Sequence, residues 1–304
     1  MDVSIIIVSY NTEKLTASCI RSIVKYTRDV DYEIIVVDNG STDGSVAKIS
    51  NLKSQISNLR LVKNKINLGF GQANNQGMKI AKGEFILLLN SDTKIYDNVL
   101  GDMIHWMRAN PDVGIASCSL RNKDGSLQPT GGYFPTILRV VSWMLFLDDL
   151  PLLGKLIRSF HPHTPDFFGK NPIYTAVQEF DWLTGAFMLI RKDVIKKSGY
   201  FDEDYFMYVE EVDLCYRIKK EGSRILYLPK WSIIHYGGAS GKRSESILAE
   251  YRGIKTFYKK HYPKWQYPIL RLLLKIGSVI RILLFGLLEG KESAATYAKA
   301  FKLA

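Results

Sequence analysis

Three cysteines in 304 residues are too few and too scattered to staple a fold. Cys19, Cys118 and Cys215 each sit among apolar or helical residues, so they are expected as core thiols in a reducing compartment. No Cys/His spacing matches a zinc module. The chain lacks a G-x-x-x-x-G-K-[ST] loop, which excludes the phosphate grip of Walker-type ATPases. Internal repeats and low-complexity tracts are missing as well. No basic segment precedes the first apolar run, so no signal peptide is expected. A membrane-spanning stretch is also lacking. Tyr267 to Leu288 is apolar but carries Arg271, Lys275 and Arg281. Each costs on the order of 2.5 kcal/mol or more at mid-bilayer.

Positive charge, by contrast, is plentiful and unevenly placed. The formal charge is +11, and from Tyr251 onward eleven Lys/Arg face only Glu289 and Glu292. The chain is therefore expected to divide into a nearly balanced domain, residues 1–245, and a basic amphipathic helical tail, residues 246–304. Arg271, Lys275, Ser278 and Arg281 fall on one side of a Leu/Ile-rich helix. That pattern predicts a helix lying in the interface of an anionic membrane, with its polar strip turned to water. Nucleic acid is not the expected partner, because the apolar helix suits lipid better.

Unbroken apolar runs end abruptly at polar turns. Val3 to Ser9 stops at Ser9-Tyr10-Asn11. Tyr32 to Val37 runs into Asp38-Asn-Gly-Ser-Thr-Asp-Gly44, and Glu84 to Leu89 into Asn90-Ser-Asp92. Such runs predict strands buried on both faces, as in a parallel sheet covered by helices. Helical spacing in between gives βαβ units. Glu179 to Arg191 reads as one strand. Arg224–Leu228 and Trp231–His235 read as two short strands around Pro229. Residues 130–175 read as an irregular lid-like stretch with a greasy segment at 143–153. Within it His161-Pro-His163 has no evident role.

Ligands of open α/β sheets bind at the carboxyl ends of strands. Asp38 and Asp92 both fall there. Asp38 is suited to accept from the imide N–H of a pyrimidine base. Asn67-Leu-Gly-Phe-Gly71, with Asn74 and Asn75 in the following helix, could seat a phosphate at a helix N-terminus. Glu210, Glu211 and Asp213 crowd together after an aromatic run, and like charges raise the pKa of at least one. That prepares a general base. His235 could join a crevice carboxylate on a hard cation, Mg²⁺ or Mn²⁺.

Together these residues resemble the family 2 inverting glycosyltransferases of GT-A fold, most closely the rhamnosyltransferase and galactofuranosyltransferase-like branch. The resemblance covers about residues 3–240. Its motifs are Val8-Ser-Tyr-Asn11, Val36-Val-Asp-Asn-Gly-Ser-Thr-Asp43, Asn67-Leu-Gly-Phe-Gly71, Leu88-Leu-Asn-Ser-Asp-Thr93, Trp182-Leu-Thr-Gly-Ala186, Phe201-Asp202 with Phe206, Glu210-Glu-Val-Asp-Leu-Cys215 and His235-Tyr-Gly-Gly-Ala-Ser240.

The resemblance implies a mixed, mostly parallel α/β sheet and an in-line sugar transfer. Ser9, Tyr10, Asn11, Asp38, Asn67, Gly69, Phe70, Asn74, Asn90, Ser91 and Asp92 would hold a UDP- or dTDP-sugar. Asp92 and His235 would hold the metal, since Asn90 replaces the first acid of the usual Asp-x-Asp element. Glu211 would be the base, with Glu210 and Asp213 left open. Trp182, Gly185 and Ala186 would shape the acceptor side. A glycan or polyprenyl-diphosphate-linked acceptor is expected, reached from the cytoplasmic face of the cell membrane. Rival expectations are a sugar-1-phosphate nucleotidyltransferase and a non-catalytic nucleotide-sugar-binding protein.

Overall fold

The apolar runs are unbroken because both faces of their strands are covered. In β1 (Val3–Ser9), Val3, Ile5 and Ile7 enter one core cluster and Ile6 enters another. In β4 (Phe85–Leu89), Phe85, Leu87 and Leu89 divide from Ile86 and Leu88 in the same way. Ile6→Ala would cost about 2–5 kcal/mol, since no water-filled side exists to relax into. The structure is a computed structural model describing residues 1–150, 156–162, 172–237 and 243–304.

β1 pairs in parallel with β2 (Tyr32–Asp38) and β4, and β2 pairs in parallel with β3 (Leu59–Lys63). β10 (Phe187–Arg191) enters antiparallel between β4 and β6 (Val113–Arg121). β11 (Arg224–His235) runs parallel to β6, and β5 (Thr93–Lys94) pairs antiparallel with β11. The sheet order is β3-β2-β1-β4-β10-β6-β11-β5, mixed and mostly parallel as expected. Helices α1 (Glu13–Tyr26), α2 (Ser45–Lys53), α3 (Phe70–Ile80), α4 (Val99–Ala109), α5 (Ile137–Met144), α6 (Lys192–Ser198) and α7 (Glu210–Lys220) accompany the sheet.

Two strand expectations are corrected. Glu179 to Arg191 is not one strand. Gln178–Glu179 (β8) pairs with β11, Trp182–Leu183 (β9) leaves the sheet to pair with Gly131–Gly132 (β7), and only β10 joins the main sheet. The break follows Asp181, whose carboxylate accepts from the Phe134 amide at 3.0 Å and pairs with Arg139 and Lys219. Conversely, residues 224–235 form one strand. Pro229 is absorbed by a register shift between Leu228 and Ser232, which removes its missing donor from the ladder.

Residues 246–304 lie in α8 (Arg243–His261), α9 (Gln266–Leu288) and α10 (Lys291–Leu303). Tyr251, Phe257, Leu270, Leu274 and Tyr297 join the same apolar cluster as α7. Only the later half of the expected polar strip of α9 is turned inward: Arg271 stays exposed and Lys275 half-buried. Ser278 and Arg281 are buried. Arg281 donates to the carbonyls of Met144 at 2.8 Å and Trp143 at 2.7 Å. These are end-of-helix carbonyls of α5 with no intrahelical donor, and a cation suits the negative end of the helix dipole. Leu272, Ile276, Val279, Leu283 and Leu287 face outward instead, Leu287 at 88% exposure. No helix among the described residues is long and apolar enough to cross a membrane.

Candidate active site

Parallel register brings the polar strand ends together. Ser9 stands opposite Asp38. Asn11 Oδ1 accepts from the Thr42 amide at 2.7 Å, locking the turn after β1 to the turn after β2. The Asn90 amide donates to Ala186 at 3.0 Å, which sets the turn before β10 beside the end of β4. A cleft of about 270 Å³ opens along this edge. Tyr10, Asn67, Gly69 and Phe70 line it on one side. Asn90, Ser91, Asp92 and His235 line it further along, with Gly185, Ala186, Glu210 and Glu211.

The β5–β11 pair carries His235 to Asp92, with His235 opposite Thr93. His235 Nε2 lies 3.3 Å from Asp92 Oδ1, and its Nδ1 lies 2.7 Å from Gln128 Oε1. Gln128 also donates to the His235 carbonyl at 2.8 Å. With Nδ1–H donating to Gln128, Nε2 is the ring nitrogen turned to the Asp92 carboxylate, with the Asn90 side-chain nitrogen 3.4 Å away. A neutral imidazole nitrogen beside a carboxylate is a donor pair that fits Mn²⁺ or Mg²⁺. No group of three or more His, Cys, Asp or Glu gathers among the described residues, so further ligands would come from the substrate. Of the His235-Tyr-Gly-Gly-Ala-Ser240 motif, residues 238–240 lie outside the described residues.

Gly69 opens α3 with φ +88°, and a Cβ there would meet the Phe206 carbonyl at 2.2 Å. The Phe70 amide donates to that same carbonyl at 3.0 Å. Only glycine admits this approach. Asp38 is buried; the Ser41 amide donates to its Oδ1 at 3.0 Å, and its Oδ2 has no partner.

At the head of α7, burial pushes the Glu210 carboxyl well above the usual range, with Glu211 adding to the shift. Burial likewise pushes Glu211 up to about 7, with Glu250 raising and His161 lowering it. Glu210 Oε2 and Glu211 Oε2 both lack partners.

Several expected residues sit apart from the cleft wall, Asn11 and the buried Asp38 among them. Asp213 is buried under Arg217, 2.8 Å away, and His261, 2.6 Å away, so it is corrected from base candidate to ion-pair anchor. The Asn74 side chain turns back onto the Phe70 carbonyl at 3.0 Å and braces the helix instead of facing ligand. Ser9 is buried among Thr12 and Thr16. Trp182 is buried too, 5.4 Å from the His161 ring and with Nε1 unpartnered. His161 was passed over in the sequence, yet it pairs with Glu250 and acts on Glu211. His163 and residues 151–153 of the greasy segment lie outside the described residues. Thr12, Asn39, Thr184, Met207 and Tyr208 line the cleft beyond the expected set; of these Asn39 and Thr184 fall within the sequence motifs around Asp38 and Gly185.

The family model for glycosyl transferase family 2 matches residues 4–198. The chain belongs to this family. The transferase is 26% identical over 274 residues to an N-acetylglucosaminyl-diphospho-decaprenol L-rhamnosyltransferase of Mycobacterium tuberculosis, covering 82% of this chain and 81% of that one. It is 28% identical over 244 residues to the rhamnosyltransferase WbbL of Escherichia coli, covering 77% and 83%. Among solved structures it is similar to a mannosyltransferase of Pyrobaculum calidifontis in complex with GDP-Man and Mn²⁺, at TM-score 0.57 and 16% identity over 99% of this chain and 80% of that one. That likeness shows the fold, which is GT-A as expected. Glycosyl transfer thus stands over the nucleotidyltransferase and non-catalytic alternatives.

Proposed function

We propose that the transferase moves a sugar, with rhamnose favoured, from a UDP- or dTDP-sugar to a hydroxyl of a polyprenyl-diphosphate-linked glycan, inverting the anomeric carbon. One observation carries this: a single cleft holds Asp92 and His235 together with the raised carboxyls Glu210 and Glu211. The names of the two rhamnosyltransferase relatives favour the sugar, and one of them names a decaprenol-diphosphate glycan.

Glu211 is the base. Its carboxyl, pushed up to about 7 by burial, is suited to proton abstraction near neutral pH. Burial, with Glu211 alongside, holds the neighbouring Glu210 carboxyl well above the usual carboxylate range. Glu211 takes the proton of the acceptor hydroxyl as that oxygen attacks from the face opposite the leaving diphosphate. Thr184, Gly185 and Ala186 border the acceptor side, where Gly185 leaves no Cβ against the Phe70 ring. The unpartnered Oδ2 of Asp38, buried beside the cleft-lining Asn39, would accept from the imide N–H of uracil or thymine. Asp92 and His235 would hold Mg²⁺ or Mn²⁺, which when bound neutralises charge growing on the diphosphate.

The outward apolar face of α9 and the cations of residues 251–304 fit an anionic bilayer on the cytoplasmic side. Lipid would cover Leu283 and Leu287 while basic side chains meet headgroups.

A panel of nucleotide-sugars with Mn²⁺ tests the donor, because a bound ligand raises apparent stability by mass action. UDP- or dTDP-sugars should raise Tm and GDP-sugars should not. Equal shifts from purine and pyrimidine donors would refute the role of Asp38.

A further inference from the structure

Helix α8 faces the catalytic segment with one stripe. Ser246, Glu250, Gly253, Phe257 and His261 recur at helical spacing, so they share a side. Four of them meet residues around Glu210 and Glu211. Ser246 Oγ is 2.6 Å from the Tyr208 hydroxyl. Glu250 pairs with His161, and His261 Nε2 is 2.6 Å from Asp213 Oδ1. At Gly253 the approach is backbone-close. A Cβ there would lie 2.7 Å from Val209 Cγ2 and 2.8 Å from the Tyr208 carbonyl.

Tyr208 and Val209 are both left-handed, at φ +68° and +72°. Two such residues in succession, the second β-branched, form a strained turn that persists only where its surroundings impose it. This turn directly precedes Glu210, and the Val209 carbonyl accepts the Asp213 amide at 2.9 Å. The turn therefore sets the angle at which α7 starts and the direction its first carboxylates take.

We propose that Gly253, with the α8 face around it, is a positioning residue for the transfer: it seats the left-handed Tyr208–Val209 turn and so aims Glu210 and Glu211 into the cleft. This rests on the reading of Glu211 as base. It makes α8 part of the catalytic unit rather than the start of an appendage.

The test compares Gly253→Ala, Val209→Gly and the double variant. Two quantities are read: the titration midpoint of the Glu211 carboxyl by ¹³C NMR, assigned by its loss in Glu211→Gln, and kcat and KM with the donor that the panel selects. In Gly253→Ala the new methyl displaces the turn and admits water. The Glu211 midpoint should then fall toward the ordinary carboxylate range, and kcat should drop about 10- to 100-fold with donor KM unchanged. Val209→Gly adopts positive φ freely and removes Val209 Cβ and Cγ2, two of the three atoms nearest the new methyl, leaving the Tyr208 carbonyl, so the double variant should recover both in part. Wild-type values in Gly253→Ala, or no recovery in the double variant, overturn the proposal. If Gly253→Ala does not fold, the double variant must restore folding, and its failure to do so counts against the proposal. A wild-type Glu211 without a raised midpoint sinks the base assignment instead, and kcat recovery in the double variant still reports on the turn.

Discussion

Gln128 Oε1 lies 2.7 Å from His235 Nδ1 and so decides which ring nitrogen is free to bind a metal. Partners of this kind typically carry 10- to 100-fold in metal affinity. Gln128→Leu should weaken Mn²⁺ binding by about that factor, and His235→Ala should weaken it further. Isothermal titration with Mn²⁺ and UDP checks this without turnover. Unchanged affinity in both variants would remove His235 from the site.

Glu211→Gln should slow transfer by about 10²- to 10⁴-fold while leaving donor binding intact. The rate of the native transferase should rise with pH, with a midpoint close to 7, because only the ionised carboxylate accepts the proton.

The same carboxyl makes stability depend on pH. Its folded pKa is raised, so the folded chain holds a proton that the unfolded chain releases. Its contribution is full below about pH 4.5 and is lost as pH rises through about 7. Glu211→Gln should therefore be more stable than the native chain at pH 8, by about 3 kcal/mol, and should lose that advantage at pH 4. Thermal melts at the two pH values give the comparison.

Asp213→Asn leaves the Arg217 guanidinium without its counter-charge and the His261 ring without its carboxylate partner. Breaking a buried pair from one side costs about 3–5 kcal/mol. A large fall in Tm is expected, with the pH midpoint of the remaining activity unmoved. A shifted midpoint with an unchanged Tm would return Asp213 to the chemistry.

Leu283→Lys and Leu287→Lys should leave Tm almost unchanged, because both side chains are already exposed, at 65% and 88%. Co-sedimentation with vesicles rich in anionic lipid should nevertheless fall sharply. Retained binding would move the membrane contact elsewhere.

Much of the site was legible in order along the chain. The polar stops after β1, β2 and β4 marked the strand ends, and the parallel register that unites them follows from helices on both faces. The meeting of Asp92 with His235 depends on a two-residue antiparallel pairing, too short to leave a pattern. Asp213 and Arg217 stood four apart on a helix, the spacing of an ion pair, so that role was readable. Periodicity showed which residues of α9 share a side. It was silent on which side faces in, because that was decided by the bare carbonyls of Trp143 and Met144, more than 120 residues upstream. His161 and Gly253 act through distant partners, Glu250 and Val209, and local pattern carries no trace of either.

Arg281 has one practical corollary. Trimming the chain before α9 to remove its greasy exterior would also take away the guanidinium that closes α5. The Trp143 and Met144 carbonyls would lose those hydrogen bonds, and Trp143, which packs 5.7 Å from both Phe160 and His161, would lose its backing. A shortened transferase would thus shed the outward leucines but uncover the apolar cluster that Leu270, Leu274 and Tyr297 complete, and would hold the proposed acceptor-side wall less firmly.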